Sequence, residues 1–378
     1  MRLISVVGAR PQFVKIAPVC RAIAAHNARG GRPIEDLIVH TGQHYDPGMS
    51  DVFFDELQIP RATFHLGVGS GSHGVQTARM LEGIEALLLE HRPDAVVVYG
   101  DTNSTLAGAL AAVKLHLPVV HVEAGLRSFN RGMPEEINRV ATDHVSDLLL
   151  APTPTAMRHL EAERLADRAV FTGDVMLDAV RHNLGLAAAG SRILPQLGLE
   201  AGTYGVVTLH RAENTTGTRL RTALDILNGV AASGLPLVFP VHPRTGNLLK
   251  AGIDGWQPHP GLKLVPAVGY LDMLWLVHHA RLVLTDSGGL QKEALFLGTP
   301  CVTLREETEW VETVEAGGNI ITGLDAARVM DAVGRFAAAP TMPRAEPPDL
   351  EAWFGDGRAA DRIVAEIARV LSNRSPAT

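Results

Sequence analysis

Several features that mark large classes of protein are scarce or missing in this sequence. Only two cysteines occur among 378 residues, Cys20 and Cys301; both have apolar neighbours, and neither stands in a metal-ligand spacing. Isolated thiols of this kind are typical of small core residues in a reducing compartment, so we expect a cytoplasmic protein. No basic run interleaved with aromatic residues is present and the net charge is −7, so nucleic acid is not an expected partner.

Long apolar stretches are missing as well. No apolar run reaches the ~20 residues that a membrane-spanning helix needs. Residues 1–8 have the pattern of a strand and lack both the charged segment and the cleavage site of a signal peptide. Zinc spacings, a G-x-S-x-G elbow and a G-x-x-x-x-G-K-[ST] loop are also absent. We therefore expect no membrane segment and, despite sixteen histidines, no metal site.

What the chain does have is the composition of a globular protein, with 46% hydrophobic and 20% charged residues. Its length predicts two domains, because a domain has roughly 100–200 residues. Strands are predicted at residues 3–7, 36–40, 94–100, 117–122, 147–150, 169–171, 204–210, 236–241, 262–265, 281–284, 300–304 and 319–322. They alternate with helical patterns on either side of a connector at 172–203, which predicts two α/β domains with largely parallel sheets.

One stretch combines a strand, a glycine turn and a helix. Residues 281–284 form a short apolar run, Ser287-Gly288-Gly289 make the turn, and apolar residues recur at helical spacing over 290–297. The unpaired N–H groups and the dipole of a helix N-terminus favour an anion, and glycines let it approach the backbone. Glu293, about one turn later, is placed to accept a hydrogen bond from a sugar hydroxyl. The pattern indicates a phosphate site, although an ordinary turn capped by Asp286 or Ser287 explains it as well.

Charged side chains follow several strands of the first half. Arg10 and Lys15 flank the turn after the first strand, and Asp101 and Glu123 stand at the carboxyl ends of two successive strands. In a doubly wound sheet such ends line one crevice, and packing explains a carboxylate there poorly. Capping of the next helix is the simpler alternative for Asp101.

Glu135 and Glu136 add two acids at the start of a further helix. They follow Pro134, and acids in the first turn are ordinary helix-start chemistry, so the pair has a structural explanation of its own. Together with the carboxylates at the strand ends, it makes general acid–base catalysis a plausible function.

The second half repeats the arrangement. Polar residues again follow the predicted strands, namely His210-Arg211, His242 with Arg244, Asp286-Ser287, and Arg305 with Glu309. In the first half, Gln43-His44 follows the second predicted strand in the same way. Two such domains facing each other would enclose a polar cleft, with cations for phosphates and carboxylates for proton transfer. The residues alone thus predict a two-domain α/β protein with a phosphorylated or nucleotide ligand.

The same motifs resemble those of the non-hydrolysing UDP-N-acetylglucosamine 2-epimerases, in family order from about residue 1 to residue 365. They are Gly8-Ala9-Arg10-Pro11, Thr41-Gly42-Gln43-His44, Gly100-Asp101-Thr102, His121-Val122-Glu123-Ala124-Gly125-Leu126-Arg127, Pro134-Glu135-Glu136-x-Asn138-Arg139, Gly173-Asp174, His210-Arg211-x-Glu213-Asn214, Asp286-Ser287-Gly288-Gly289-x-Gln291-x-Glu293, Arg305-x-x-Thr308-Glu309 and Gly355-Asp356-Gly357.

This resemblance implies an architecture of the glycosyltransferase-B type: two Rossmann-like domains whose parallel sheets face each other across a cleft. The N-terminal domain would span residues 1–175 and the UDP-binding domain 176–355, and a helix within 356–378 would pack back on the first domain. The implied reaction converts UDP-GlcNAc to UDP-ManNAc by anti elimination of UDP to 2-acetamidoglucal and re-addition, for cell-surface polysaccharide biosynthesis. We also expect a homodimer that uses no cofactor.

The resemblance also assigns roles to residues. The catalytic set would be Asp101, Glu123, Glu135 and His210. The substrate and UDP set would be Arg10, Lys15, Ser287, Gly288, Gly289, Glu293 and Arg305. In some members of the family a second UDP-GlcNAc binds as an allosteric effector, which here would contact Gln43, His44, Glu136, Arg211 and His242.

Other functions stay open at this point. The enzyme could act on a related UDP sugar such as a diacetamido uronic acid, or it could be a hydrolysing epimerase that releases free ManNAc. A retaining glycosyltransferase of the same fold is a further alternative, but the acids of 121–139 exceed what sugar transfer needs. A non-catalytic nucleotide-sugar sensor would have no use for three carboxylates at the sugar.

Overall fold

The computed structural model describes residues 1–43, 54–253, 255–338, 347 and 349–372. The chain forms two compact units. The first contains Met1–Ala179 together with Glu351–Thr378, and the second contains Val180–Leu350. Because the first unit takes in both ends of the chain, the second is an insertion within it.

The first unit is built on a parallel sheet. Its strands pair in the order β3-β2-β1-β4-β5-β6-β7. The strands are β1 (Arg2–Val7), β2 (Glu35–His40), β3 (Phe64–His65), β4 (Ala95–Tyr99), β5 (Val119–Val122), β6 (Leu148–Ala151) and β7 (Ala169–Phe171). All five residues of β4 are buried, which explains its continuous apolar sequence, since helices cover both faces of such a sheet.

Helices connect these strands. They are α1 (Arg10–Ala28), α2 (His73–His91), α3 (Asn103–Lys114), α4 (Pro134–Val145), α5 (Pro154–Ala162) and α6 (Val175–Gly190), with a 3₁₀ turn at Ala166–Arg168. Proline in the first turn suits α1, α4 and α5, because its missing N–H has no helical partner there. A core cluster that includes Ile4, Val96, Val98 and Ile84 lies between the sheet and the helices.

The second unit repeats the plan. Its sheet is parallel, with the order β10-β9-β8-β11-β12-β13. The strands are β8 (Gly205–Thr208), β9 (Leu237–Val241), β10 (Leu262–Pro266), β11 (Leu282–Thr285), β12 (Cys301–Thr303) and β13 (Asn319–Ile321). In both sheets the strand order reverses direction next to the unit's first strand, beside β4 in the first unit and beside β11 in the second. Ligands of open α/β sheets bind at such a switch point.

The remaining helices complete both units. They are α7 (Ile193–Leu197), α8 (Gly217–Ala232), α9 (Pro243–Ala251), α10 (Tyr270–His279), α11 (Gly288–Phe296), α12 (Val311–Glu315), α13 (Ala326–Ala337), α14 (Leu350–Phe354) and α15 (Ala359–Ser372), with a 3₁₀ turn at Ala212–Thr215. Within the described ranges, no helix is long and apolar enough to cross a membrane.

The C-terminal helix α15 belongs to the first unit. It packs on α1 through an apolar face that includes Ile363, Val364 and Ile367. The Asp178 carboxylate accepts hydrogen bonds from the Ala359 and Ala360 amides, at 3.1 and 2.8 Å. These contacts satisfy amides at the helix start that have no partner within the helix.

The fold confirms two Rossmann-like units with parallel sheets, and a few local predictions were wrong. Strand β3 was not predicted because two residues at a sheet edge carry no periodic signal. The connector at 172–203 begins with the helix predicted after Gly173, which is α6, and it also contains the short helix α7, which was not predicted. The glycines and serines of residues 67–74 predict a loop, but its last two residues, His73 and Gly74, form the first turn of α2. The sequence also predicts a helix at 50–57, of which residues 50–53 lie outside the described residues and residues 54–56 are helical.

Candidate active site

The predicted site residues of the first unit lie at the switch point of its sheet. Arg10 and Lys15 follow β1, Asp101 follows β4 and Glu123 follows β5. Strands β1, β4 and β5 are direct neighbours, so their carboxyl ends lie side by side. The sheet therefore brings together groups that are distant in sequence.

Lys15 and Glu123 form a close, buried ion pair. The two residues are 8% and 6% exposed, so little solvent reaches the charges. Glu123 has a backbone φ of 71°, a left-handed conformation that is costly for a residue with a side chain. Gly100 has a φ of 63°, and a Cβ at this position would lie 2.9 Å from Lys15 Nζ. The ion pair therefore depends on a glycine at position 100 and on the strained backbone conformation of Glu123.

Asp101 is more accessible. Its side chain is 28% exposed and its Oδ2 lies 2.6 Å from an Arg139 guanidinium nitrogen. Asn138 donates to its backbone carbonyl at 2.9 Å. The alternative that Asp101 caps α3 is wrong, because the Thr102 side chain accepts from the Thr105 amide instead.

The two acids at the start of α4 differ in their surroundings. Glu136 is 3% exposed, and its carboxylate accepts hydrogen bonds from the Ser128 amide and hydroxyl and from the Phe129 amide. Arg139 lies 3.1 Å from the same carboxylate. Glu135 is only partly buried. Glu136 therefore fixes the loop before its own helix, whereas Glu135 keeps an accessible side chain.

A buried network behind these residues was not predicted. His121 places Nδ1 2.7 Å from Asp143 and Nε2 2.7 Å from the Gly100 carbonyl. Burial alone would raise the pKa of Asp143, but the hydrogen bond from His121 and the charge of Arg127 outweigh it and lower that pKa. Because His121 contacts the carbonyl just before Asp101, the network supports the position of that carboxylate from behind. Strand periodicity gives no signal for it.

Gln43, one of the predicted effector residues, is held by the start of α3. Its side-chain oxygen accepts from the Ser104 amide and hydroxyl at 3.0 and 2.7 Å, and its carbonyl accepts from Gln76. Gln76 also contacts Asn103, which accepts from Asn138. His44 lies outside the described residues.

In the second unit a buried aspartate organises the turn after β8. Asp286 is 0% exposed and accepts hydrogen bonds from the His210 and Arg211 amides at 3.0–3.1 Å and from Asn214 at 3.4 Å. The His210 ring places Nδ1 3.3 Å from the same carboxylate and its centroid 5.9 Å from that of His242. Asp286 thus positions two predicted site residues, a role that sequence reasoning did not assign.

The Ser287-Gly288-Gly289 turn begins α11. Ser287 accepts a hydrogen bond from the Leu290 amide at 3.4 Å, so the predicted serine cap is present. Gly289 is exposed and Gly288 is buried. The turn therefore presents a helix N-terminus with an exposed glycine, which is the geometry that suits an anion.

Two further predicted residues of this unit are largely buried. Glu293 is 8% exposed and accepts from the Tyr270 hydroxyl at 2.9 Å. Arg305 is 1% exposed and lies 3.0 Å from Glu309, which is also 3.7 Å from Arg211. Direct contact between Arg305 and a ligand would require a side-chain movement. No cluster of three or more potential metal ligands occurs among the described residues.

Comparison with known proteins agrees with this geometry. The sequence model of the family described as UDP-N-acetylglucosamine 2-epimerase matches residues 27–368. The chain belongs to this family. Its epimerase relatives include a UDP-N-acetylglucosamine 2-epimerase homolog of Methanococcus maripaludis, which is 46% identical over 375 residues, or 98% of this chain and 100% of the relative.

Two further relatives of this epimerase family are informative. The UDP-2,3-diacetamido-2,3-dideoxy-D-glucuronate 2-epimerase of Pseudomonas aeruginosa is 43% identical over 98% of this chain and 100% of its own. The crystal structure of the Methanocaldococcus jannaschii UDP-GlcNAc 2-epimerase in complex with UDP-GlcNAc and UDP superposes with a TM-score of 0.89, at 40% identity and with 98% and 100% of the two chains covered.

Within each unit, the epimerase fold brings some of the predicted residues together. Lys15 contacts Glu123, and Arg139 contacts both Asp101 and Glu136. His210 lies beside His242, and Arg211 approaches Glu309. The sequence assigned no site role to Arg139 or to Glu309, and the structure shows both as ion-pair partners of the assigned residues.

Proposed function

We propose that the chain interconverts UDP-GlcNAc and UDP-ManNAc, by eliminating UDP to 2-acetamidoglucal and adding it back. Family membership supports the reaction class. The observation that carries the mechanism is the placement of Asp101 and Glu123 at the carboxyl ends of the neighbouring strands β4 and β5, each paired with a cation.

The proton chemistry falls to the first unit. In the elimination, a base removes the C2 proton, the C–H electron pair forms the C1=C2 bond, and UDP leaves with the electrons of the C1–O bond. In the re-addition, a UDP oxygen attacks C1 while an acid delivers a proton to the opposite face of C2. We assign these two tasks to the set of Asp101, Glu123 and Glu135, with Lys15 and Arg139 orienting the first two.

Retention of UDP falls to the second unit. The leaving diphosphate is an anion, so preorganised donors must stabilise its developing charge. We assign this role to His210, Ser287 and the amides of the α11 N-terminus, with Arg10 contributed by the first unit. Glu293, oriented by Tyr270, would hold the ribose, and Arg305 would act through Glu309.

Several accessory properties belong to the same proposal. We expect activity without a metal or cofactor, a homodimer in solution and a cytoplasmic location, which suits the two cysteine thiols. We carry the effector site at Gln43, His44, Glu136, Arg211 and His242 as a proposal as well. Arg211 and His242 support it best, because the side chains of Gln43 and Glu136 are engaged within the first unit.

The test of the reaction is proton NMR of UDP-GlcNAc incubated with the protein in deuterated water, without acceptor or cofactor. We expect UDP-ManNAc with deuterium at C2, because the abstracted proton exchanges with solvent. Unchanged UDP-GlcNAc, or free ManNAc together with UDP, would contradict the proposal. Light scattering on the same sample tests the homodimer.

The related diacetamido uronic acid substrate is the second candidate, because the Pseudomonas aeruginosa relative is 43% identical over nearly the whole chain. Both substrates would use the same C2 proton chemistry and the same UDP turn. The two are separated by kcat/KM for each UDP sugar under identical conditions. A higher value for the uronic acid would keep the mechanism and change the substrate.

A further inference from the structure

A carboxylate of the protein itself lies beside the turn that is assigned to the diphosphate. Glu309 is 7% exposed, and its carboxylate lies against Gly288, the first residue of α11. A Cβ on Gly288 would clash with Glu309 Oε1. Glycine at position 288 therefore makes room for the Glu309 carboxylate, whereas a Cβ on Gly289 would meet only Ser287 Oγ, at an ordinary contact distance of 3.9 Å.

Two arginines share this carboxylate, and their surroundings differ. Arg305 lies 3.0 Å from Oε2 with a fully buried side chain. Arg211 lies 3.7 Å from Oε1 and its side chain is 21% exposed. Arg305 is thus a fixed counter-ion, and Arg211 is a counter-ion at the surface, where it can also meet a ligand.

The buried Arg305 guanidinium has few hydrogen-bond partners. Within the described part of the chain its Nε, Nη1 and Nη2 form no hydrogen bond of good geometry. A buried guanidinium in that condition leaves positive potential around it. The N-terminal dipole of α11 adds to that potential, and the Glu309 carboxylate counters both.

We propose that Glu309 is a built-in counter-anion that sets how tightly the enzyme holds UDP. In the empty protein it occupies the positive field of the turn between Arg211 and Arg305. When a nucleoside diphosphate binds, Glu309 remains with Arg305 and repels the bound diphosphate at short range. The inference rests on the proposed function, because it takes the Ser287–Gly289 turn as the diphosphate site.

This arrangement has a purpose in an elimination and re-addition cycle. UDP must stay bound while 2-acetamidoglucal is present, and the UDP sugar must then depart. A carboxylate beside the turn lowers the affinity for the diphosphate without removing any of its donors. Glu309 is therefore a positioning and affinity-setting residue that does not touch the reacting carbon atoms.

The test is calorimetric titration of UDP into the wild type, Glu309→Gln and the matched control Glu315→Gln, which removes an exposed charge from the nearby helix α12. We expect Glu309→Gln to bind UDP about ten-fold tighter, with slower UDP release, because one repulsive charge is gone. The control should match the wild type. Glu309→Gln should also melt lower without ligand and gain more in Tm from UDP or pyrophosphate, because the ligand replaces the lost charge.

Equal or weaker UDP binding by a folded Glu309→Gln protein would overturn the inference, and weaker binding restored by Glu309→Asp would show a scaffold for Arg211 instead. If Glu309→Gln does not fold, Glu309→Asp decides by itself. Its shorter side chain withdraws the charge from Gly288, so tighter UDP binding supports the inference and unchanged or weaker binding refutes it. Failure of the wild type to bind UDP would refute the proposed function instead.

Discussion

The two units place an aspartate at the same point of the same fold and use it differently. Asp101 follows β4 and precedes the capping residue Thr102, and Asp286 follows β11 and precedes the capping residue Ser287. The Asp101 side chain is 28% exposed and paired with Arg139, whereas Asp286 is fully buried beneath the His210–Arg211 turn.

One inserted residue accompanies this difference. Gly100 stands between β4 and Asp101 with a φ of 63°, and Asp286 follows β11 directly. The left-handed glycine changes the direction of the chain before the carboxylate, which remains partly exposed. Asp286 instead points into its unit, where amide donors make it a scaffold. Position in the fold therefore does not decide function, and local backbone geometry does.

The largest expected effect separates the two aspartates by activity. Asp101→Asn should lower kcat about 100–10,000-fold, because it removes an acid–base group, while UDP affinity stays within about three-fold. Glu123→Gln should lower kcat by a factor in the same range. The measurement is epimerisation followed by NMR together with UDP titration, with the exposed Asp167→Asn as control. Near-full turnover by both variants would end the assignment of these carboxylates.

The next effect concerns stability. Asp286→Asn should lower the free energy of unfolding by about 3 kcal/mol, because an amide group would face the backbone donors that the carboxylate now accepts from. Urea unfolding measures this change. The control is Asp225→Asn, an exposed partner of Arg221, which should change stability by less than about 0.5 kcal/mol. If the two variants prove equally stable, Asp286 is not a scaffold.

A third aspartate shows burial without such donors. Asp36 accepts a hydrogen bond only from Ser5 among the described residues, at 3.1 Å, and burial raises its pKa from 3.8 to about 7. Between these values the folded state binds more protons than the unfolded state, so this group lowers stability as the pH rises from about 4 to about 7.

Asp36→Asn should therefore be more stable than the wild type at pH 8, by about 1–3 kcal/mol, and the gain should shrink towards pH 4. Urea unfolding at both pH values measures it. If the difference in unfolding free energy between the two proteins is the same at pH 4 and pH 8, burial does not raise the pKa of Asp36.

The smallest effect compares the two helix caps. Thr102→Ala and Ser287→Ala should each cost about 1 kcal/mol of unfolding free energy, because each removes a side-chain acceptor at a helix start. Only Ser287→Ala should also weaken UDP binding, by about ten-fold, because its hydroxyl is assigned to the diphosphate. Equal loss of UDP affinity in both variants would contradict the assignment of UDP binding to Ser287 in the second unit.

Much of the fold was predictable from the sequence because periodic apolar runs and proline-led helix starts are local signals. The strands around β1, β4 and β11 were found, and so were the polar residues at their ends. What escaped prediction was the partner of each charged group. Lys15 and Glu123 lie 108 residues apart in sequence, and the pair depends on the backbone conformations of Gly100 and Glu123. Partner choice between charged groups follows from packing, which a single sequence does not display.

The discontinuity of the first unit has a consequence for the newly made chain. The second unit is continuous and can fold as soon as its own residues are available, whereas α1 lacks its partner α15 until the C-terminal residues emerge. At roughly 5–20 residues per second, synthesis of the intervening residues 180–358 takes on the order of 10–40 s. Throughout that interval the surface of α1 that α15 will cover is exposed, so the first unit is completed only when the last residues of the chain have been made.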